Sequence, residues 1–151
     1  MNIKERLQKT IESGETLGAD FRYKDLSDMN FKDCSLNGID FRGANLSNCT
    51  FENCNLSSCQ LDYALMIGVT MQNVKGDYIE MRHANLSYSI LKNVSINYGM
   101  MQKAKFTDCE FHHLNIDNTN VNLSSFSSTN LSIKFSDCIG YPIKTVLDKP
   151  K

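Results

Sequence analysis

The side chains best equipped for chemistry are sulfurs and imidazoles. Cys49, Cys54 and Cys59 stand five residues apart in the stretch NLSNCTFENCNLSSCQL, Cys34 and Cys109 fall on the same spacing, and Cys138 lies off it. Three uses compete for such a row: metal ligation, a disulfide framework, or packing with no sulfur reactivity. Structural zinc sites bring close cysteine pairs together with His or further Cys, and the only adjacent imidazoles, His112 and His113, fall at positions expected to point outward. The chain carries no nucleophile elbow, no phosphate-loop glycine pattern and no metal-binding helix motif. His83, His112 and His113 are therefore expected to be solvated surface groups, and the protein is expected to be no enzyme and to need no cofactor.

The five-residue spacing extends far beyond the cysteines. Every fifth residue from Phe21 to Leu131 is apolar except Gly76, which excludes both the helical and the strand period. Two residues before each centre runs a second series of small or medium groups, among them Ala19, Cys34, Ile39, Ala44, Cys49, Cys54, Cys59, Ala64, Val69, Val74, Ile79, Ala84, Val94, Ala104 and Cys109. Asp, Asn, Ser, Thr, Lys and Arg fill most other positions. Two side chains in five point inward and three point outward.

The unit A-(D/N)-L-x-x recurs as ADF at 19–21, GANLS at 43–47 and HANLS at 83–87. On these residues the chain resembles the pentapeptide-repeat family over about three quarters of its length. That resemblance implies an all-β fold, a right-handed quadrilateral β-helix in which four pentapeptides make one coil. Six coils at about 4.8 Å give a rod about 28 Å long. Stacking by twenty predicts inner columns such as Phe31, Phe51, Met71, Leu91, Phe111 and Leu131. It also predicts a gap at Gly76, filled by flexible Met71 or Met81. In this arrangement the cysteines enter from different walls as compact apolar groups. Cys34 and Cys54 stack at a distance that permits a disulfide, with free thiols expected in a reducing compartment. Cys138 has no place in the register. Asn53, Asn73 and Asn93 are expected to form an internal amide ladder.

Three segments follow: residues 1–18 as a capping helix and connection, 19–133 as the repeat, and 134–151 as a cap or dimerisation tail. Asn2 and Glu5 fit a capping box, Ile3, Leu7 and Ile11 form one stripe, and Gly14 is the stop. The tail offers Ile139, Tyr141, Ile143, Val146 and Leu147 to cap the last coil or to make a homodimer. The N-terminal stretch is charged and lacks an apolar run of signal or membrane-spanning length, so a cytoplasmic location without membrane contact is expected.

Net charge is −1, so direct nucleic-acid binding is not expected. The resemblance points to non-catalytic binding of a protein, as an inhibitor, protector or adaptor. Antibacterial-resistance members bind DNA gyrase and topoisomerase IV by mimicking duplex DNA, which makes a DNA-handling enzyme, a topoisomerase or a defence nuclease complex, the first partner class. Charge argues for a modest mimic only. Residues 19–133 carry twelve acidic and nine basic side chains, whereas duplex DNA of this length carries about 16 negative charges. Asp20, Asp40 and Glu80 should also pair with Arg22, Arg42 and Arg82. The unbroken register leaves no room for the projecting loops of quinolone-resistance members. Asp108, Glu110 and Asp117, which have no basic neighbour after Lys105, make the acidic surface available to a mimic.

The alternative is an interaction adaptor or effector of a phage or pathogen. Tyr63, Leu65, Ile67, Tyr78, Tyr88, Ile90, Tyr98 and Met100 are apolar at outward positions of the middle coils, and clustered apolar groups mark interfaces. Packing of these residues beneath the N-terminal helix or the tail is the competing structural role.

Overall fold

The computed structural model describes residues 1–128 and 132–146. Helix α1 (Ile3–Ser13) begins at Asn2, whose side chain accepts from the Glu5 amide while the Glu5 carboxylate accepts from the Asn2 amide. Two of the four amides left unpaired at the helix start are thereby satisfied. Gly14 ends the helix in the left-handed conformation that lacks a Cβ penalty. Leu7 is fully buried, with Ile3 and Ile11 packed beside it. Lys4 and Arg6 donate to the first-coil carbonyls of Ser27 and Asp20, and the Arg6 guanidinium lies 4.5 Å from the Phe21 ring centre. The helix thus closes the open first coil of a solenoid.

Among the described residues nine strands follow: β1 (Asn30–Lys32), β2 (Thr50–Glu52), β3 (Thr70–Asp77), β4 (Ile90–Asn97), β5 (Lys105–Phe106), β6 (Glu110–Asp117), β7 (Ser125–Ser128), β8 (Ile133–Ser136) and β9 (Ile143–Val146). All pair in parallel, β1-β2-β3-β4-β6-β8 in one sheet and β5-β7-β9 in the other. Partners such as Phe31, Phe51, Met71, Leu91 and Phe111 stack twenty residues apart, and isolated bridges continue the ladder on the remaining faces. The result is the four-faced β-helix of about six coils.

The described centres from Phe21 to Phe126 are buried, Gly76 included. Phe31 stacks on Phe51 at 5.0 Å and Phe106 on Phe126 at 4.7 Å. Each buried ring contributes about 1.5–3 kcal/mol by leaving water. At many corners the centre carbonyl accepts the amide three residues on, as Phe41 does from Ala44. The residue two past the centre is left-handed at every position from Tyr23 to Leu123, Gly38, Gly43 and Gly68 included.

Two expectations need correction. The gap at Gly76 is filled by Ile79, whose Cδ1 would lie 3.4 Å from a Cβ placed there, and not by Met71 or Met81. Ile79 also lies against Gly99 in the next coil, so two glycines make room for one branched side chain. The amide ladder is external: Asn93 donates to Asn73, Asn73 to Asn53 and Asn53 to Asp33, over 2.8, 2.9 and 2.7 Å, on exposed side chains. The regular twenty-residue pairing is described as far as Phe126, opposite Phe106; Leu131, the last expected centre, lies outside the described residues. Parallel pairing continues into the described part of the 134–151 segment through β8 and β9.

The slip has two steps. Leu114 opposes Ile133 and Ile116 opposes Phe135, one residue short of the regular repeat. Ser125 then opposes Ile143, two residues short. The second loss falls between Tyr141 and Ile143, opposite the left-handed Leu123. Pro142 stands there, and its ring holds φ near −65°, so the left-handed corner is dropped. The first slip brings Cys138 into line. Its thiol donates to the Ile116 carbonyl at 3.2 Å, one coil below. Ile139, Tyr141 and Ile143 remain exposed, and Leu147 lies outside the described residues.

Candidate functional site

The five-spaced thiols do more than fill space. Cys49, Cys54, Cys59 and Cys109 each donate to the carbonyl of the inward centre 23 residues earlier: Leu26, Phe31, Leu36 and Leu86, at 3.0–3.4 Å. The Ser89 hydroxyl makes the same bond to Met66. The thiol or hydroxyl gives the centre carbonyl a donor from the next coil, and at Leu36 it adds to the amide of Ile39, which that carbonyl already accepts. Burial pushes the thiols of Cys49 and Cys109 up to about 11 and that of Cys59 to about 12, so they are held protonated and inert. Among the described residues no three His, Cys, Asp or Glu converge as metal ligands. All six cysteines are free.

The charged face is a ladder of ion pairs. Arg22 holds Asp20 at 2.9 Å, Arg42 holds Asp40 at 2.7 Å, and Arg82 holds both Asp62 and Glu80 at 2.7 Å. Hydrogen bonds from Arg22 hold the Asp20 carboxyl well below the usual range. Burial alone would raise Asp40, but the Arg42 guanidinium and amide outweigh it and lower its pKa. Pairing across one rung, expected for the Arg22, Arg42 and Arg82 coils, is present and is extended between coils at Arg22–Asp40 and Arg82–Asp62.

The acidic trio is not one surface. Asp108 and Glu110 adjoin at one corner, whereas Asp117 lies at the far end of β6, opposite Asn97. Glu110 lies 3.7 Å from the His112 ring nitrogen, an ion pair only when that ring is protonated. One Asp117 carboxylate oxygen is buried without a partner.

The apolar set forms a belt around three sides of the middle coils. Tyr63, Tyr78, Tyr88 and Tyr98 occupy left-handed corners with φ from 55° to 63° and remain 55–64% exposed. Leu65 and Ile67 flank the buried Met66 on the face between the Tyr63 and Tyr88 corners, and Ile90 opens the next face. On the opposite flank Tyr78 stacks on Tyr98 at 5.3 Å, and Met100 follows, its sulfur accepting from Arg82 at 3.1 Å. The His83 ring lies flat on Tyr63 at 4.6 Å. Helix α1 seats on the first coil, and the described part of the tail extends the last one. Neither covers the belt.

Two features were not expected from the sequence. Tyr23 belongs to the same class of exposed left-handed corner, with its ring folded over Gly43. Five of the six tyrosines therefore sit two residues after a centre, a position that the five-residue register alone defines. The thiol-to-carbonyl bonds were signalled by Cys and Ser sharing one register position.

Concavity is slight. One polar cleft of 380 Å³ lies among Arg6, Asp20, Arg22, Tyr23 and Lys24, where the helix meets the first coil. Another, of 330 Å³, lies among His113, Leu114, Asn115, Ser132, Ile133 and Lys134. In the second, the Ser132 hydroxyl accepts from the backbone amide of His113 at 3.4 Å. Among the described residues no helix is long and apolar enough to cross a membrane.

Comparison with known proteins places this geometry. The pentapeptide repeat region profile matches residues 44–121, and the profile for pentapeptide repeats in eight copies matches residues 18–48. No curated protein sequence matches. A trypsin-treated form of QnrB1, a plasmid-mediated fluoroquinolone resistance protein, is similar at 14% identity and a TM-score of 0.54, covering 83% of this chain and 69% of that one. A pentapeptide repeat protein of the Arabidopsis thaliana thylakoid lumen shares 22% identity over 72% of this chain and 69% of its own, at a TM-score of 0.36. HetL, involved in heterocyst differentiation regulation in the cyanobacterium Nostoc sp. strain PCC 7120, covers 95% of this chain and 94% of its own at 13% identity and a TM-score of 0.36. The profile spans more than half of the sequence, and its repeat is the one that the stacked centres build; the chain belongs to the pentapeptide-repeat family.

Proposed function

We propose that this protein is a non-catalytic binding rod whose partner, a protein, docks on the tyrosine belt of the middle coils. The observation that supports this most strongly is a choice of residue. A left-handed corner is met at least cost by Gly, Asn or Asp, and a bulky aromatic there is costly. Tyr63, Tyr78, Tyr88 and Tyr98 accept that cost and keep their rings in solvent beside Leu65, Ile67 and Met100. Rigid aromatic side chains lose little entropy on docking and serve as interface anchors. The rod then acts by occupying its partner, as an inhibitor, protector or adaptor.

Duplex mimicry toward a DNA-handling enzyme is the second reading. It is favoured by the exposed Asp108 and Glu110 and by the fold shared with a fluoroquinolone resistance protein. The paired carboxylates of the charged ladder weaken it, since each guanidinium cancels an acid that a mimic would present.

Affinity capture from cell lysate separates the two. On the belt reading a partner survives high salt, is retained by Asp108→Asn/Glu110→Gln and is lost by Tyr78→Asn/Tyr98→Asn. On the mimic reading a DNA-binding enzyme is captured, is released by salt, and responds to the opposite pair of variants.

A further inference from the structure

The thiols of Cys34 and Cys54 differ from the other four. Their Sγ atoms lie 3.6 Å apart, one coil above the other, while the remaining described cysteines stack on other residue types. Cys54 is buried and Cys34 is partly open to solvent. The backbones are fixed in register, since the Asn55 amide donates to the Cys34 carbonyl and Ser35 bridges Asn55. In-register parallel neighbours stand about 4.8 Å apart, within the Cα separations that a disulfide spans. Rotation about the two Cα–Cβ bonds, with a slight approach of the two coils, would close the 3.6 Å between the sulfurs to the bond length of about 2.05 Å.

The position matters as much as the distance. In a solenoid each coil is held only by its neighbours, so an end coil frays before an inner one. Cys34 belongs to the first coil, which has α1 on one side and a single coil on the other. A bond to Cys54 would tie that end to the body of the rod and close a loop of twenty residues.

We propose that Cys34 and Cys54 are an oxidation site at which a small-molecule disulfide such as glutathione disulfide installs a covalent staple between the first two coils. The Cys34 thiolate, the more accessible, attacks one sulfur of the oxidant, forming a mixed disulfide and expelling one glutathione thiolate. The Cys54 thiolate then attacks the Cys34 sulfur and expels the second. The two protons lost by the cysteines end on the two glutathione thiols, the protein disulfide is the oxidised product and glutathione disulfide is what has been reduced. Burial and the neighbouring Cys54 push the Cys34 thiol up to about 12. The first step is therefore slow at neutral pH and accelerates as pH rises.

The test uses the full chain, folded, incubated with glutathione disulfide at about pH 9. Peptide mapping should find residues 34 and 54 cross-linked with loss of two hydrogens, and the thermal unfolding midpoint should rise by about 5 °C and return on reduction. Cys34→Ser, a small change at a partly exposed site, should keep the untreated midpoint and lose both responses. Arrest at the glutathione adduct of Cys34, a cross-link to a different cysteine, no mass change, or a cross-link without a shift in midpoint would each overturn the proposal.

Discussion

Two corners of the rod share one backbone and carry opposite chemistry. At one, Asn53, Asn73 and Asn93 take φ of 52–54° and bond to one another in a chain that ends on Asp33. At another, Tyr78 and Tyr98 take φ of 55–57° and stack ring on ring, with most of each ring in water. The first corner explains itself. Asn tolerates the left-handed region, and its amide is both donor and acceptor, so the column satisfies itself coil after coil. The second does not, because the fold asks only for a residue that can turn left, and tyrosine is a poor one. The difference separates what the solenoid requires from what it displays.

The comparison breaks first at the core. If corners are display and centres are structure, Phe51→Ala should cost about 3–5 kcal/mol, read as a lower urea midpoint, and exceed any corner change. A corner change of equal cost would mean that the surface columns hold the rod together. Next in size is the amide column itself. Asn73→Ala puts a Cβ-bearing residue without a local hydrogen bond into a left-handed corner and cuts the chain on both sides, for a loss of about 1–2 kcal/mol. Asn73→Gly should recover part of that loss, since glycine removes the strain but not the broken bonds.

Smaller still is the tyrosine corner. Tyr78→Asn/Tyr98→Asn should leave stability within about 0.5 kcal/mol of the parent, lost ring stacking offsetting relieved strain. The charged ladder comes last. The folded pKa values of Asp20 and Asp40 lie below the ordinary 3.8. Their contribution is therefore complete above that value and is lost as pH falls through the depressed one. Asp40→Asn should flatten the acid limb of a stability–pH curve slightly and leave the neutral plateau almost unchanged, because these pairs are solvent-screened.

Nearly all of the solenoid was legible in the sequence because a five-residue period is a local signal repeated many times, and one register position carries one role. The capping box at Asn2 and Glu5 was legible for the same reason. What escaped were single-residue events. The dropped corners after Phe126 and at Pro142 break the spacing by one residue each, which hid Cys138. The packing of Ile79 against Gly76 and Gly99 depends on two coils at once and on the direction of one branched side chain. The apolar belt was visible as outward residues of the wrong polarity. Its location at left-handed corners required φ. The acidic trio was singled out because no basic neighbour follows Lys105, a criterion blind to the winding of β6, which places Asp117 at the far end of that strand from Glu110.

The central claim is that the tyrosine corners serve a partner and not the fold. The direct measurement takes the partner recovered by capture and compares its Kd for the parent protein and for Tyr78→Asn/Tyr98→Asn, with urea unfolding of both run alongside. The account predicts that binding weakens by at least about tenfold while the unfolding midpoint holds. Binding retained with the midpoint unchanged, or lost only together with stability, would contradict it.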